Sequence, residues 1–233
     1  MRKISITTGI AIIFSLFGFS QDNCSKFYPL KEGSSFQYTM YDKKGKPDGM
    51  TDYKVVDVSD EGNQTTATMQ IQFTDKKGKE VFASDYAFTC TGNGIKIDYN
   101  SLIPDTMLEQ FKDMEYEITG TDIEVPNDLS VGQSLDDANV AMRISMAGMN
   151  MDINVNMINR KVEKRESVTT AAGTFDCFVI YGETESKTMG ATHKFPNRLW
   201  LAEDIGMVKQ ETYKENGNVI SSMALTTLSL GQS

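Results

Sequence analysis

Strict alternation of apolar and polar residues is the pattern that most constrains this chain. It is most regular in two runs, residues 140–146 and residues 149–157, which Ala147 and Gly148 separate. Side chains of a strand point alternately to the two faces of a sheet, so each run places its apolar side chains on one face. The two runs therefore predict a hairpin that is polar outside and rich in thioethers inside.

Shorter alternating runs, separated by turn residues, fill most of the remaining sequence. They predict a mainly β protein with a curved antiparallel sheet, or half-barrel, of about ten strands. Residues 102–113 depart from this pattern, because their apolar residues fall at helical spacing and predict one short α-helix. Since no linker rich in Pro, Gly and Ser divides the chain, we expect residues 21–233 to form a single domain.

Two other segments add local detail. The pentapeptide Asp-Lys-Lys-Gly-Lys occurs at residues 42–46 and again at 75–79. This repeat predicts two hairpins with the same exposed turn, in which glycine supplies a positive φ. The nearly continuous apolar run from Phe175 to Tyr181 predicts a central strand that is buried on both faces. Trp200, between two leucines, is expected to anchor the core.

The first twenty residues resemble a secretory signal peptide. Arg2 and Lys3 precede an uncharged apolar stretch, residues 4–19, and small residues come just before Gln21. The stretch is shorter than the ~20 residues of a membrane-spanning helix. We therefore expect cleavage after residue 20 and a soluble protein in the periplasm or outside the cell. The Cys that ends a lipoprotein signal is missing at this site, so lipid anchoring is not expected.

The charge of the mature chain excludes one class of partner. Without residues 1–20 the sequence has 21 basic and 32 acidic side chains, a formal charge of −11. Such a surface repels phosphate backbones, so nucleic acid is not expected as a partner.

Three cysteines remain in this oxidising compartment, which permits one intramolecular bridge and three pairings. Cys177 lies inside the buried apolar run, whereas Cys24 and Cys90 lie beside loops. We predict that any disulfide joins Cys24 to Cys90 and leaves Cys177 reduced.

No set of residues predicts catalysis. The sole histidine, His193, lies in an alternating run without a nucleophile elbow, and the cysteines lack the paired spacing of a zinc site. Carboxylates are numerous, but nothing in their spacing identifies a general acid or base. We predict a protein that is not an enzyme and that binds no metal or cofactor.

The thioether face of the hairpin is the main candidate for binding. Three interpretations remain open: methionine filling gaps in an ordinary core, a deformable wall for a lipid-like ligand, and a copper site of soft thioethers. Neighbouring thioethers on one flat face, without a nearby His or Cys, disfavour copper. The ligand-binding hypothesis rests on the inward residues of both runs: Met142, Ile144, Met146, Met149, Met151, Ile153 and Met157.

Two segments carry a family resemblance: residues 168–178, with Ala172-Gly173-Thr174-Phe175, and residues 199–211, which contain Trp200. They resemble uncharacterised secreted β proteins of Bacteroidetes, known as the TapB family or under a domain-of-unknown-function label, from Cys24 to Leu228. The resemblance implies no catalytic residues. It implies an architecture similar to the periplasmic lipoprotein carriers LolA and LolB, in which a curved sheet wraps an apolar cavity.

Together these features favour an extracytoplasmic binding or envelope-assembly protein that holds an apolar small molecule, a lipid or a lipoprotein acyl chain. The alternative is a structural or protein-interaction component without a small ligand, and an uncharacterised hydrolase is the third hypothesis. A deep apolar cavity would favour the first, a filled core with an exposed edge strand the second, and convergent carboxylates in a cleft the third.

Overall fold

The structure, a computed structural model, describes residues 24–62, 64–103, 105–146, 149–188 and 191–231. The signal peptide predicted for residues 1–20 lies outside the described residues. Among the residues described, no helix is long and apolar enough to cross a membrane.

The described chain is mainly β, and its strands form one antiparallel sheet of 13 members. The strands are β1 (Ser35–Asp42), β2 (Pro47–Glu61), β3 (Gln64–Asp75), β4 (Glu80–Cys90), β5 (Gly94–Ile97), β6 (Glu115–Thr121), β7 (Ile123–Pro126), β8 (Ala138–Met146), β9 (Met149–Thr170), β10 (Gly173–Thr188), β11 (Ala191–Ala202), β12 (Gly206–Tyr213) and β13 (Val219–Ser229). A 3-10 turn (Tyr99–Leu102) and one α-helix, α1 (Asp105–Gln110), lie between β5 and β6.

Two sequence-based expectations need correction. The sheet has 13 strands, more than the predicted ten. The sequence does not reveal β7, because its four residues, which end in Pro126, are too few to show an alternating pattern. The helix predicted over residues 102–113 is confined to the six residues of α1. Beyond α1, backbone hydrogen bonds from Phe111 to Leu108 and from Met114 to Phe111 form turns instead.

The strand order explains how the sheet curls. Strands β1–β5 form one meander and β8–β13 another, and β1 joins the two by pairing with β13. The outermost strands are β6, beside β8, and β7, beside β5, yet only Asp122 separates them in the chain. Because consecutive strands lie at opposite ends of the sheet, these ends must approach each other. The expected half-barrel is therefore a nearly closed barrel, and we call the line where its ends meet the seam.

The repeated pentapeptide forms the same turn twice, as predicted. In each copy one carboxylate oxygen of the leading aspartate, Asp42 or Asp75, accepts two backbone N–H groups at 2.8 to 3.0 Å. Gly45 and Gly78 have φ values of 71° and 77°. These hydrogen bonds hold the pKa of both aspartates below the ordinary value.

The core occupies both faces of part of the sheet. Ile180 and Leu201 belong to the large cluster inside the barrel, while Val179 and Trp200 belong to a smaller cluster on the opposite face. This arrangement confirms that β10 is a central strand buried on both faces. It also confirms Trp200 as a buried side chain, whose indole N–H donates to the Glu166 carboxylate at 2.7 Å.

Candidate binding site

The barrel interior contains a cavity with two adjoining parts. The first, which we call the aromatic lobe, has a volume of about 200 Å³ and is lined by aromatic and aliphatic side chains that include Tyr38, Tyr53 and Ile71. The second, the arginine lobe, has a volume of about 260 Å³ and includes Arg160 in its wall. Both lobes are bounded by Tyr28, Ile97, Ile123, Leu199 and Gln210, which places them side by side.

Packing between rings shapes the aromatic lobe. The rings of Tyr38 and Tyr53 meet edge to face at 5.3 Å between centroids, and those of Tyr28 and Phe88 lie 5.6 Å apart. The Tyr38 hydroxyl donates to the carbonyl of Met207 at 2.7 Å. Burial raises the pKa of Tyr28 to about 12 and the pKa of Tyr38 well above its ordinary value. These phenols are therefore neutral at physiological pH, and they form an uncharged wall.

Arg160 gives the second lobe a different character. Its side chain extends from β9 and is 9% exposed. Its two terminal nitrogens donate to backbone carbonyls of two different segments, to Asp136, just before β8, at 2.5 Å and to Glu124 of β7 at 3.0 Å. Burial lowers the pKa of this guanidinium, but its ordinary pKa is so high that it stays charged. A cation is thus held at the cavity wall.

The segment that precedes β1 fills one part of the barrel. Cys24 forms a disulfide with Cys90 of β4, while Cys177 is a free, buried thiol. The Asn127 side chain also holds the segment, because it donates to the Cys24 carbonyl at 3.0 Å and accepts from the Lys26 backbone at 2.8 Å. These ties bring Tyr28 to the wall shared by both lobes.

The structure separates the residues of the predicted thioether face. Met142 and Ile144 are 2% and 1% exposed and form a third packed cluster with Ile103, against which Met151 and Ile153 also pack. This cluster includes side chains of the short helical region, such as Leu108. The structure thus places these four hairpin residues in a packed cluster.

Among the hairpin side chains that the structure describes, that of Met157 reaches the arginine lobe. The side chains of Met146 and Met149 lie outside the described residues, although their backbones pair with each other.

Sequence reasoning missed Arg160 as a cavity residue, and the reason is a shift in the alternation. Counting in twos from Met157 would turn Arg160 outward. Asn159, however, has a φ of 56°, and the pairing of β9 with β10 is irregular at this point. The irregularity moves the inward positions by one residue, so that Arg160 faces inward with Val162.

The structure gives the surroundings of His193, the histidine considered above for catalysis and metal binding. His193 is exposed and lies beside the ring of Phe195. No group of three or more His, Cys, Asp or Glu side chains that could hold a metal ion occurs in the part of the chain that the structure describes.

Comparisons with known proteins agree with this architecture. A model of the DUF3108-like family matches residues 31–225. A solved structure from Bacteroides fragilis, described as an exported protein with a YmcC-like fold, is 20% identical with a TM-score of 0.70, covering 88% of this chain and 100% of its own. One from Parabacteroides distasonis, described as a lipoprotein, is 22% identical with a TM-score of 0.70, covering 88% of this chain and 99% of its own. No curated protein matches the sequence.

Proposed function

The chain belongs to the DUF3108-like family, and we propose that it is a non-catalytic protein that works outside the cytoplasm and holds an apolar or lipid-like molecule inside its barrel. The observation that carries this proposal is the internal cavity. Ligand sites are typically concave, mostly apolar and ~300–1,000 Å³ in volume, with a few polar groups that fix orientation. The two adjoining lobes together fall in the lower part of that range.

Three observations support a location outside the cytoplasm. Residues 1–20 have the pattern of a secretory signal peptide. The bond between Cys24 and Cys90 is of a kind that persists in oxidising compartments. The two similar solved structures are described as an exported protein and a lipoprotein.

The nature of the lobes favours a bound molecule over a purely structural role. Tyr28, Tyr53 and Ile71 line open volume within the barrel. Apolar side chains that merely stabilised the fold would gain more free energy by closing this space, because each void forfeits dispersion contacts.

Cavity filling tests the proposal. The neutral fluorescent probe N-phenyl-1-naphthylamine should bind the wild-type protein, and Ile71→Phe should weaken this binding by placing a ring in the aromatic lobe. Val81→Phe is the matched control, because Val81 is 52% exposed. Native mass spectrometry of protein expressed with its export signal, followed by organic extraction, should recover a bound apolar molecule.

Two results would contradict the proposal. Absence of probe binding and of any extractable molecule would leave the structural or protein-interaction alternative. Equal weakening by both phenylalanine variants would show that the probe binds elsewhere on the protein.

A further inference from the structure

Arg160 differs from other arginines of this protein in its surroundings. Arg143 and Arg198 have side chains that are 59% and 32% exposed, and each binds a carboxylate, Asp152 at 2.8 Å and Glu163 at 2.7 Å. Arg160 is much more buried, yet among the described residues no carboxylate forms an ion pair with it. The arginine with the highest desolvation cost therefore lacks the carboxylate partner that Arg143 and Arg198 have.

Backbone carbonyls accept hydrogen bonds from only some of the N–H groups of the Arg160 guanidinium. An arginine side chain carries five N–H donors in a planar fork. Within the described part of the chain, Arg160 uses two of them, toward the carbonyls of Asp136 and Glu124. Its other N–H groups remain available, and the Arg160 side chain forms part of the wall of the arginine lobe. A buried cation with spare donors beside a cavity is suited to receive an anion.

The carboxylates near Arg160 do not remove this capacity. The carboxylates of Asp136, Asp137 and Glu124 favour the charged form of the Arg160 guanidinium by electrostatic attraction, but they do not contact it. Glu183 also borders the arginine lobe, and its carboxylate accepts the hydroxyl of Tyr181 at 2.9 Å. An acceptor inside the lobe could meet the guanidinium fork directly.

The arrangement of the lobes defines the rest of the ligand. The aromatic lobe adjoins the arginine lobe through the side chains of Ile97, Ile123 and Leu199, which are apolar. A molecule with its charged end at Arg160 would thus extend its remaining length along aliphatic and aromatic walls. This polarity matches a single hydrocarbon chain that ends in an anionic group.

We propose that the cavity binds a long-chain carboxylate, with the carboxylate on the Arg160 guanidinium and the hydrocarbon chain in the aromatic lobe. This proposal rests on the proposed function and specifies its ligand class. The carboxylate accepts two parallel N–H bonds from the guanidinium, while the chain leaves water for an apolar environment.

Ligands that share one chain and differ in the head group test the charge requirement. Dodecanoate, dodecanol and dodecyltrimethylammonium should compete with N-phenyl-1-naphthylamine for the wild-type protein at concentrations below micelle formation. We expect dodecanoate to bind at least about 10-fold more tightly than dodecanol, since a charged hydrogen-bond partner is gained, and the cation to bind most weakly. Equal affinity for the three would overturn the head-group assignment.

Variants at the wall test the residue. Arg160→Gln should weaken dodecanoate binding by about 10- to 100-fold and leave dodecanol binding nearly unchanged. Arg165→Gln is the matched control, because Arg165 lies on the same strand and is exposed. If Arg160→Gln and Arg165→Gln bind dodecanoate as the wild type does, Arg160 is not the head-group site.

A second variant keeps the test decisive if Arg160→Gln does not fold. Gly182 lies in the wall of the arginine lobe, and a Cβ added there would lie 3.5 Å from Cγ of Arg160, an ordinary contact. Gly182→Leu should reduce dodecanoate affinity while the cation stays in place. Unchanged dodecanoate affinity would overturn the assignment. If the probe binds but the head group has no effect, this inference fails alone; if nothing apolar binds, the proposed function fails with it.

Discussion

Truncating two methionines of one hairpin distinguishes packing from binding. Met142 is 2% exposed and packs with Ile103 and Ile144, whereas Met157 borders the arginine lobe. Met142→Ala should therefore lower the free energy of unfolding by about 2 to 5 kcal/mol, the usual cost of truncating a long aliphatic side chain in a packed core. Met157→Ala should cost about 1 kcal/mol or less, because a side chain at a cavity wall has fewer neighbours to lose.

Ligand affinity should respond in the opposite way to stability: it should change in Met157→Ala and stay nearly constant in Met142→Ala. Met157→Ala enlarges the arginine lobe, so it should alter the affinity for apolar ligands and shift the preference toward bulkier ones. Met142→Ala should leave affinity within about twofold of the wild type, since Met142 belongs to a cluster on the hairpin and helix side.

Urea unfolding followed by the fluorescence of Trp200, the only tryptophan, measures the stabilities. Probe displacement by dodecanoate and dodecanol measures binding on the same preparations. A Met142→Ala variant that loses ligand affinity but keeps wild-type stability would refute this assignment, and so would a Met157→Ala variant that is strongly destabilised with unchanged binding.

Three further results are expected. Replacing Cys24 and Cys90 together by serine should lower the free energy of unfolding by about 4 kcal/mol, the chain-entropy value for a bond that spans 66 residues, and urea unfolding measures the loss. Cys177 should resist alkylation below about pH 9 in the native protein and react only on unfolding, because burial raises its pKa to about 11. Detection of alkylated Cys177 by mass spectrometry after labelling of the native protein would contradict this prediction. The pKa of Asp42 and of Asp75 is lower in the folded protein than in the unfolded chain. Their contribution to stability is therefore present above the pKa of an unfolded aspartate and is lost as pH falls through the folded pKa. A carboxylate NMR titration that found ordinary pKa values for both aspartates would contradict this prediction.

Local sequence patterns predicted those parts of the fold that depend on neighbouring residues. The Asp42 and Asp75 turns follow from short-range hydrogen bonds, and burial of β10 on both faces follows from its continuous apolar run. The hairpin of β8 and β9 was likewise visible as alternation around Ala147 and Gly148. In each case the signal and the structure involve residues that are close in sequence.

What the sequence could not predict depends on distant parts of the chain. Alternation indicates that Met142 faces inward, but not that the short helical region covers it, because the partner face lies elsewhere in the sequence. The inward position of Arg160 depends on the irregularity at Asn159, which leaves no apolar signal of its own. Closure of the sheet depends on β7, which is too short for periodicity to reveal.

The placement of the disulfide in the first meander has a consequence for the order of oxidation. Cys24 precedes β1 and Cys90 ends β4, whereas Cys177 lies on β10 of the second meander. In a chain exported with its N-terminus first, both partners of the native bond reach the oxidising compartment before Cys177 does. The first meander can form its hairpins from local contacts and close the bond without a competing thiol. Once β10 is buried, the raised pKa of Cys177 keeps it from attacking that bond, so the odd cysteine does not scramble the native pairing.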